Sequence, residues 1–465
     1  MRAFVGREKE IQQLETMYQT ESFQMAVIYG RRRVGKTTLI NQFMKGKKGL
    51  YFMAAESSME ENLHSLSREL WKLMGQGEEM PDFTGFGAIL QQLAVLAQEE
   101  RIVVAVDEYP YLAGADPSVS SVLQRYIDHE FKNSRLFLVL CGSSMSFMEH
   151  QVLGYKSPLY GRRTAQIKVN PFSVWDVRKY FEAYSDEEIF YAYACTSGIP
   201  EYLQAFDESR SIDENIKALF FSTFGRLYEE PSNLLKQELR SPASYNAVIS
   251  AIAGGYNKLS EIASRTGQQT SGCCALLTSL MELGIVEKIT PCGETSTKKT
   301  LYRITDQMFR FWYRFVSPNL SLINAGYGDT VYEQKVKPLL NDFCGPVFKK
   351  FCEEWLLRQN GQMKLPELFS QISTWWGGNP KTMKQEEIDI LLRVAETVIL
   401  CECKWRNEQA DRDVLDTLLR RGELFSYPEK YYYMFSKSGF TASLSDEVRN
   451  RTDCVMVEYC DMLNA

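Results

Sequence analysis

Eight residues constrain this chain more than any others: Gly30-Arg-Arg-Arg-Val-Gly-Lys-Thr37. They follow an apolar, strand-like run from Phe23 to Tyr29 and precede a helical pattern that begins Leu39-Ile-Asn-Gln-Phe-Met44. A strand, a loop with G-x-x-x-x-G-K-[ST] spacing and a helix together aim backbone N–H groups and a helix N-terminus at one point, which is where an anion binds. Gly30 and Gly35 allow the turn. Lys36 supplies a compact positive charge for β/γ oxygens, Thr37 supplies a hydroxyl for Mg²⁺, and Arg33, Val34 and Thr38 complete the expected contacts. The implied ligand is a nucleoside triphosphate with Mg²⁺.

Apolar strands are predicted at Gly49 to Phe52, Arg101 to Val106 and Arg135 to Cys141, with amphipathic helical segments from Glu60 to Met74 and Gly87 to Gln98 between them. Strands alternating with helices imply an α/β fold built on a mostly parallel sheet covered on both faces. The strand from Arg101 ends in Asp107-Glu108, at the sheet edge where such folds bind ligands. Asp107 is expected to hold Mg²⁺ through water, and Glu108 to polarise an attacking water, which favours hydrolysis over binding alone. No NKxD segment ends a later strand, so ATP is expected rather than GTP. Cys141-Gly-Ser-Ser144 either senses a γ-phosphate or is a simple turn. Arg162 and Arg163 either stabilise transition-state charge, in cis or from a neighbouring subunit, or are surface arginines.

Beyond residue 168 the texture changes. Helices are predicted at Pro171 to Ala183, Asp186 to Cys195 and Ile212 to Phe221, a helical lid over 169–240. Three short helices and two strands between Ser241 and Thr305 have winged-helix order, giving a domain over 241–316. Residues 317–344, with Pro318 and Gly326-Tyr327-Gly328 inside them, read as a connector or as packed helices. From Gly345 a second α/β texture begins, with a helix to Arg358, a Gly377-Gly378 loop and strands at Glu387 to Arg393, Thr397 to Trp405, Lys430 to Ser436 and Val455 to Tyr459. On the second of these strands Glu402 and Lys404 share a face, and Asp389 on the adjacent strand is expected to meet them. Two carboxylates for Mg²⁺ and an ammonium to orient water would suit metal-assisted phosphodiester hydrolysis, although alternating charged and apolar residues also describe any half-exposed strand.

Composition narrows the partners. Lys+Arg number 53 against 59 Asp+Glu, a net charge of −6, so no global basic field points to nucleic acid. Locally, 241–316 holds eight Lys/Arg against five Asp/Glu and 345–465 holds 16 against 19, which leaves a DNA partner open. The longest apolar stretches fall far short of the roughly 20 residues that span a bilayer, and MRAFVGREKE lacks a signal-peptide core, so a cytoplasmic chain with no membrane partner is expected. The 11 cysteines have no framework spacing and read as reduced.

Phe4-Val-Gly-Arg-Glu-Lys-Glu10, the Gly30–Thr37 loop, VDEYPYL from Val106 to Leu112, CGSSMSFM from Cys141 to Met148 and SGIPEYL from Ser197 to Leu203 together resemble the archaeal-type ATPases of the STAND branch of AAA+-like P-loop proteins. The resemblance implies that Val5, Gly6 and Arg7 lie near the adenine. The winged-helix segment and the last 120 residues resemble the C-terminal domain of unassigned function found in prokaryotic members, which is similar to PD-(D/E)xK nucleases. Together the resemblances imply a P-loop sheet with lid, a winged helix and a restriction-endonuclease-like α/β domain, with a second metal site at Asp389 and Glu402 and a catalytic Lys404. One departure stands out. Relatives commonly carry an acid where Phe348 is here followed by Lys349-Lys350, leaving Glu354 one turn on as the substitute. The functions implied are a Mg-ATP hydrolase controlling a DNA-contacting or DNA-cleaving module, or an ATP-dependent switch acting on protein partners with an inactive nuclease-like domain. Oligomerisation is compatible with both.

Overall fold

The computed structural model describes residues 4–77, 80–290, 300–379 and 383–464. The chain divides into two compact units, Met1–Ser173 with Ile199–Tyr202, and Val174–Gly198 with Leu203–Ala465. Among the described residues no helix is long and apolar enough to cross a membrane.

The first unit is built on five parallel strands, β1 (Gln24–Tyr29), β2 (Gly49–Met53), β3 (Ile102–Asp107), β4 (Leu136–Gly142) and β5 (Ala165–Lys168), in the order β2-β3-β4-β1-β5. Their apolar runs are buried on both faces, so alternate residues enter different cores. Met25, Val27, Val104, Val106, Leu138 and Leu140 join one cluster; Ala26, Ile28, Val103, Ala105, Val139 and Cys141 join the other. Because β4 inserts between β1 and β3, three neighbouring strands end beside the Gly30–Thr37 loop, at Tyr29, Asp107 and Gly142.

In the second unit, helices Pro242–Ala253, Leu259–Thr266 and Thr270–Glu282 precede an antiparallel pair, β6 (Val286–Ile289) and β7 (Leu301–Ile304). The winged-helix span includes 291–299, which lie outside the described residues. Of the two readings of 317–344 the residues take the helical one: Leu320–Asn324, Gly328–Val331 and short 3-10 and π turns lead into a 22-residue helix, Leu340–Gly361. Ile323, Val331, Tyr332, Val336 and Leu340 supply buried side chains along this stretch. Pro318 sits in the first turn of a short helix, where its missing N–H costs nothing, and Gly326 makes the turn at φ +87°.

The unit closes on a mixed sheet, β8 (Gln371–Asn379), β9 (Lys384–Val394), β10 (Thr397–Lys404), β11 (Glu429–Ser436) and β12 (Cys454–Glu458), in the order β12-β11-β10-β9-β8. β8-β9-β10 is an antiparallel meander, and β11 and β12 add in parallel. Gly377-Gly378, expected as a loop, lies inside β8. A side chain at Gly377 would begin 2.8 Å from the Trp375 ring, so this glycine makes room for an aromatic rather than a turn.

Candidate nucleotide site

The loop is shaped by contacts that only these residues tolerate. A Cβ on Gly30 would stand 2.3 Å from the Val169 carbonyl oxygen, while Val169 N–H donates to Tyr29 at 2.7 Å and joins β5 to β1 there. Gly35, at φ +88°, takes the left-handed conformation immediately before helix Lys36–Met44, and Arg33 adopts φ +71° without being glycine. Arg33 lies 3.8 Å from Glu201 and donates to the Tyr202 hydroxyl at 3.3 Å. Arg7 is buried and its guanidinium donates to Val34 O (2.9 Å) and Asn170 O (2.7 Å). It thus ties the N-terminal box to the back of the loop. Gly6 precedes it at φ +71°, with Val5 half-buried beyond; Thr38 is exposed on the first helical turn.

Lys36 is buried, and its ammonium donates to the carbonyls of Gly30 and Arg31, both at 2.9 Å. Burial pulls its pKa below the ordinary lysine value, against the opposing pull of Cys141, Glu108 and Asp107. Thr37 donates its hydroxyl to Asp107 Oδ2 at 2.8 Å, and Tyr51 donates to the same oxygen at 2.7 Å. The Glu108 N–H donates to Asp107 Oδ1 at 2.9 Å. Burial acts to raise the Asp107 carboxyl, but hydrogen bonds from Cys141, Tyr51 and Thr37 outweigh it and hold the group below the usual carboxylate value. Glu108 stands at φ +51°, ψ +41°, just before helix Tyr109–Ala115, and Oε2 accepts from both the N–H (3.2 Å) and the hydroxyl (2.9 Å) of Ser143.

Loop, Asp107, Glu108 and Ser143 are therefore brought together by three adjacent strands. Arg162 and Arg163 are not. Thr164 N–H donates to Met25 O, and β5 runs alongside β1 from Ala26 opposite Ala165 to Tyr29 opposite Lys168. These arginines thus sit beside the start of β1, at the other end of the strand from the loop. Arg162 is held by Asp128, with Nε 3.1 Å from Oδ1 and Nη2 2.6 Å from Oδ2.

At the second predicted site Lys404 bonds Glu402, and the Asp389 charge acts on the same carboxyl. Ile388 pairs with Trp375 and Leu391 with Ser373, so β9 carries one extra residue at Asp389-Ile390. This bulge changes the alternation: Asp389 Oδ2 accepts the Cys403 N–H at 2.9 Å, and Oδ1 lies 3.3 Å from Lys349 Nζ. Glu402 instead accepts from Lys404 at 2.7 Å and Arg421 at 2.8 Å. Burial, and then the neighbouring Asp389 charge, raises the Glu402 carboxyl. For Lys349, burial acts to lower the pKa but is outweighed by Asp389 and Glu387, which hold it high. Glu354 feels the charges of Lys350, Glu353 and Asp176. Among the described residues no group of three or more His, Cys, Asp and Glu side chains is disposed to hold a metal.

Tyr51 escaped sequence reasoning. Its signal was a hydroxyl inside a short apolar strand, useful only once β2 is known to lie beside β3.

Residues 4–206 match a family described as an ATPase domain predominantly from Archaea, and residues 312–414 match one described as archaeal and bacterial proteins of unknown function. The uncharacterized protein MJECL04 of Methanocaldococcus jannaschii is 31% identical over 468 residues, covering 98% of this chain and 99% of its own. The uncharacterized ATP-binding protein MJ0423 of the same organism is 44% identical over 45 residues, 10% of this chain and 76% of its own. Among solved structures, the Walker-type ATPase PABY2304 of Pyrococcus abyssi shares the fold with a TM-score of 0.51 at 22% identity, over 67% of this chain and 96% of its own. Matched end to end by MJECL04, the chain belongs to that protein's family, an archaeal-type P-loop ATPase family in which the ATPase domain is followed by a C-terminal domain of the second kind.

Proposed function

We propose that the chain binds Mg-ATP on Gly30–Thr37, hydrolyses it with Glu108 polarising the attacking water, and passes its nucleotide state to the C-terminal unit. The observation that carries this reading is the hydroxyl of Thr37 bonded to Asp107 at 2.8 Å, with Glu108 next in sequence on the same strand end. A hydroxyl and a carboxylate are hard oxygen donors, the set that fits Mg²⁺. When bound, the ion would neutralise phosphate charge; Lys36 would hold the β/γ oxygens, and Glu108 would accept a proton from water. Arg162 and Arg163 retain a role only toward a nucleotide on a neighbouring molecule. Val5, Gly6 and Arg7 lie near the adenine in this reading, and the site is that of a cytoplasmic STAND-type ATPase.

Three helices followed by an antiparallel pair support a winged helix at 241–316. Its third helix, Thr270–Glu282, carries no lysine or arginine to meet phosphates. A second reading of the C-terminal unit is favoured by a specific observation. Lys349 against Asp389, with Lys404 and Arg421 against Glu402, neutralises the PD-(D/E)xK-like carboxylates with side-chain cations. This favours a nucleotide-driven switch acting on a protein partner over a DNA-cleaving Mg²⁺ site at Asp389, Glu402 and Lys404. The deciding experiment measures Mg²⁺-dependent ATP hydrolysis by wild type, Lys36→Ala and Glu108→Gln, with and without linear, branched and single-stranded DNA, together with cleavage of each DNA. Stimulation by one DNA form, or its cleavage lost in Asp389→Ala, supports the nucleic-acid reading. DNA-indifferent turnover accompanied by ATP-dependent protease resistance supports the switch. Absence of turnover in wild type removes the proposal.

A further inference from the structure

We infer that Tyr51 is a positioning residue for the Mg²⁺ of this site, acting through Asp107. The inference rests on the reading that Thr37 and Asp107 hold that ion. Strand β2 lies parallel to β3, with Met53 opposite Asp107 and Tyr51 opposite Ala105, so the Tyr51 side chain reaches along the strand ends to the carboxylate. Its hydroxyl donates to Asp107 Oδ2 at 2.7 Å, the same oxygen that accepts the Thr37 hydroxyl proton at 2.8 Å.

That shared acceptor is what matters chemically. A hydroxyl that ligates a cation does so with an oxygen lone pair, so its proton must point elsewhere. Asp107 Oδ2 takes the proton and thereby turns the Thr37 lone pairs outward. The carboxylate can do this only while its own rotation is fixed, and four protein donors fix it: the Glu108 N–H on Oδ1, Thr37 and Tyr51 on Oδ2, and the Cys141 thiol. Asp107 is only 1% exposed, so water has little access to replace a lost donor. Tyr51 packs its ring against the core under this end of the sheet, which anchors the hydroxyl. Groups that orient metal ligands in this way typically govern metal affinity by about tenfold to a hundredfold.

The test uses the full chain and a non-hydrolysable ATP analogue, with equilibrium affinity measured against Mg²⁺ concentration and in EDTA. For Tyr51→Phe, which keeps the ring, the Mg²⁺ needed for half-maximal tightening should rise about tenfold while affinity in EDTA is unchanged. Thr37→Ala separates the two ideas. If it abolishes the Mg²⁺ effect while Tyr51→Phe leaves it untouched, the Mg²⁺ site stands and the role of Tyr51 is overturned. An equal loss of affinity in EDTA would make Tyr51 merely structural. If wild type shows no Mg²⁺ effect at all, the underlying reading falls, and this inference with it.

Discussion

The Glu108 carboxylate accepts two hydrogen bonds from Ser143, one from its N–H at 3.2 Å and one from its hydroxyl at 2.9 Å. The acid expected to polarise water is therefore aimed by the end of β4, a strand that enters the sheet between β1 and β3. Ser143→Ala should lower kcat about tenfold with little change in KM, since one of two aiming bonds is lost and no phosphate contact is. Glu108→Gln should lower kcat by about 10²- to 10⁴-fold while nucleotide binding persists. Steady-state kinetics and a nucleotide-binding titration on the same preparations check both.

Lys36 reaches the loop carbonyls as a buried cation. Lys36→Ala should abolish measurable ATP turnover. Because it removes a desolvated charge rather than an apolar contact, it should leave thermal stability equal to or above that of wild type. Calorimetry beside the activity assay distinguishes this from unfolding.

The two loop glycines should fail differently. Gly30→Ala forces a methyl into the Val169 carbonyl and must part β5 from β1, so stability and nucleotide binding should fall together, by about 3 kcal/mol or more in unfolding free energy. Gly35→Ala meets nothing within 4 Å and bears only the left-handed backbone, a cost of about 1–2 kcal/mol. Urea unfolding of the two variants gives the comparison directly.

Burial, with Glu353 and Asp176 adding to it and Lys350 opposing, pushes the Glu354 carboxyl up to about 7 from 4.5. Between those values the native chain keeps a proton that the unfolded chain has released. The native state therefore binds more protons, and stability falls as pH rises through that window. Glu354→Gln should flatten this slope, with little effect on Tm near pH 4.5 and a gain of a few degrees near pH 8 (~2–4 °C per kcal/mol).

Lys349 is 17% exposed and pairs with Asp389, which is 22% exposed. Lys349→Met should cost about 1–3 kcal/mol because it leaves a half-buried carboxylate without its cation, and the double variant Lys349→Met/Asp389→Asn should recover most of that loss. Denaturant midpoints of the two singles and the double measure the coupling. Smaller coupling than either single effect would mean that the pair does not hold this end of the sheet.

What could be read from the amino acids alone was local chemistry. Gly30–Thr37 and Asp107-Glu108 each declare themselves within a few residues of strand and turn, and the parallel α/β sheet follows from alternating periodicities. Sheet neighbours are set by distant segments, so neither the insertion of β4 nor the approach of Tyr51 to Asp107 was visible. In the C-terminal sheet the extra residue at Asp389-Ile390 and the cations Lys349 and Arg421 that meet Asp389 and Glu402 depend on register and on distant segments, which strand alternation does not reveal. Pro318 and Gly377 also disguised real elements: Pro318 begins a helical turn, and Gly377 accommodates Trp375 inside a strand.

Helix Asp186–Thr196 belongs with the C-terminal sheet. Phe190 stacks on Trp405 at 4.0 Å, Lys437 bonds Glu187 at 2.6 Å, and the Tyr459 hydroxyl donates to Asp186 O. Three residues after that helix ends, Ile199–Tyr202 are back in the nucleotide-binding unit, with Glu201 and Tyr202 against Arg33. The polypeptide thus crosses between its halves three times. A gene fusion joined at one point after residue 206 would carry Phe190, Tyr191 and Glu187 away without the surface that receives them. Such ATPases are poor candidates for evolution by simple exchange of tails, and the two halves should diverge as a matched pair.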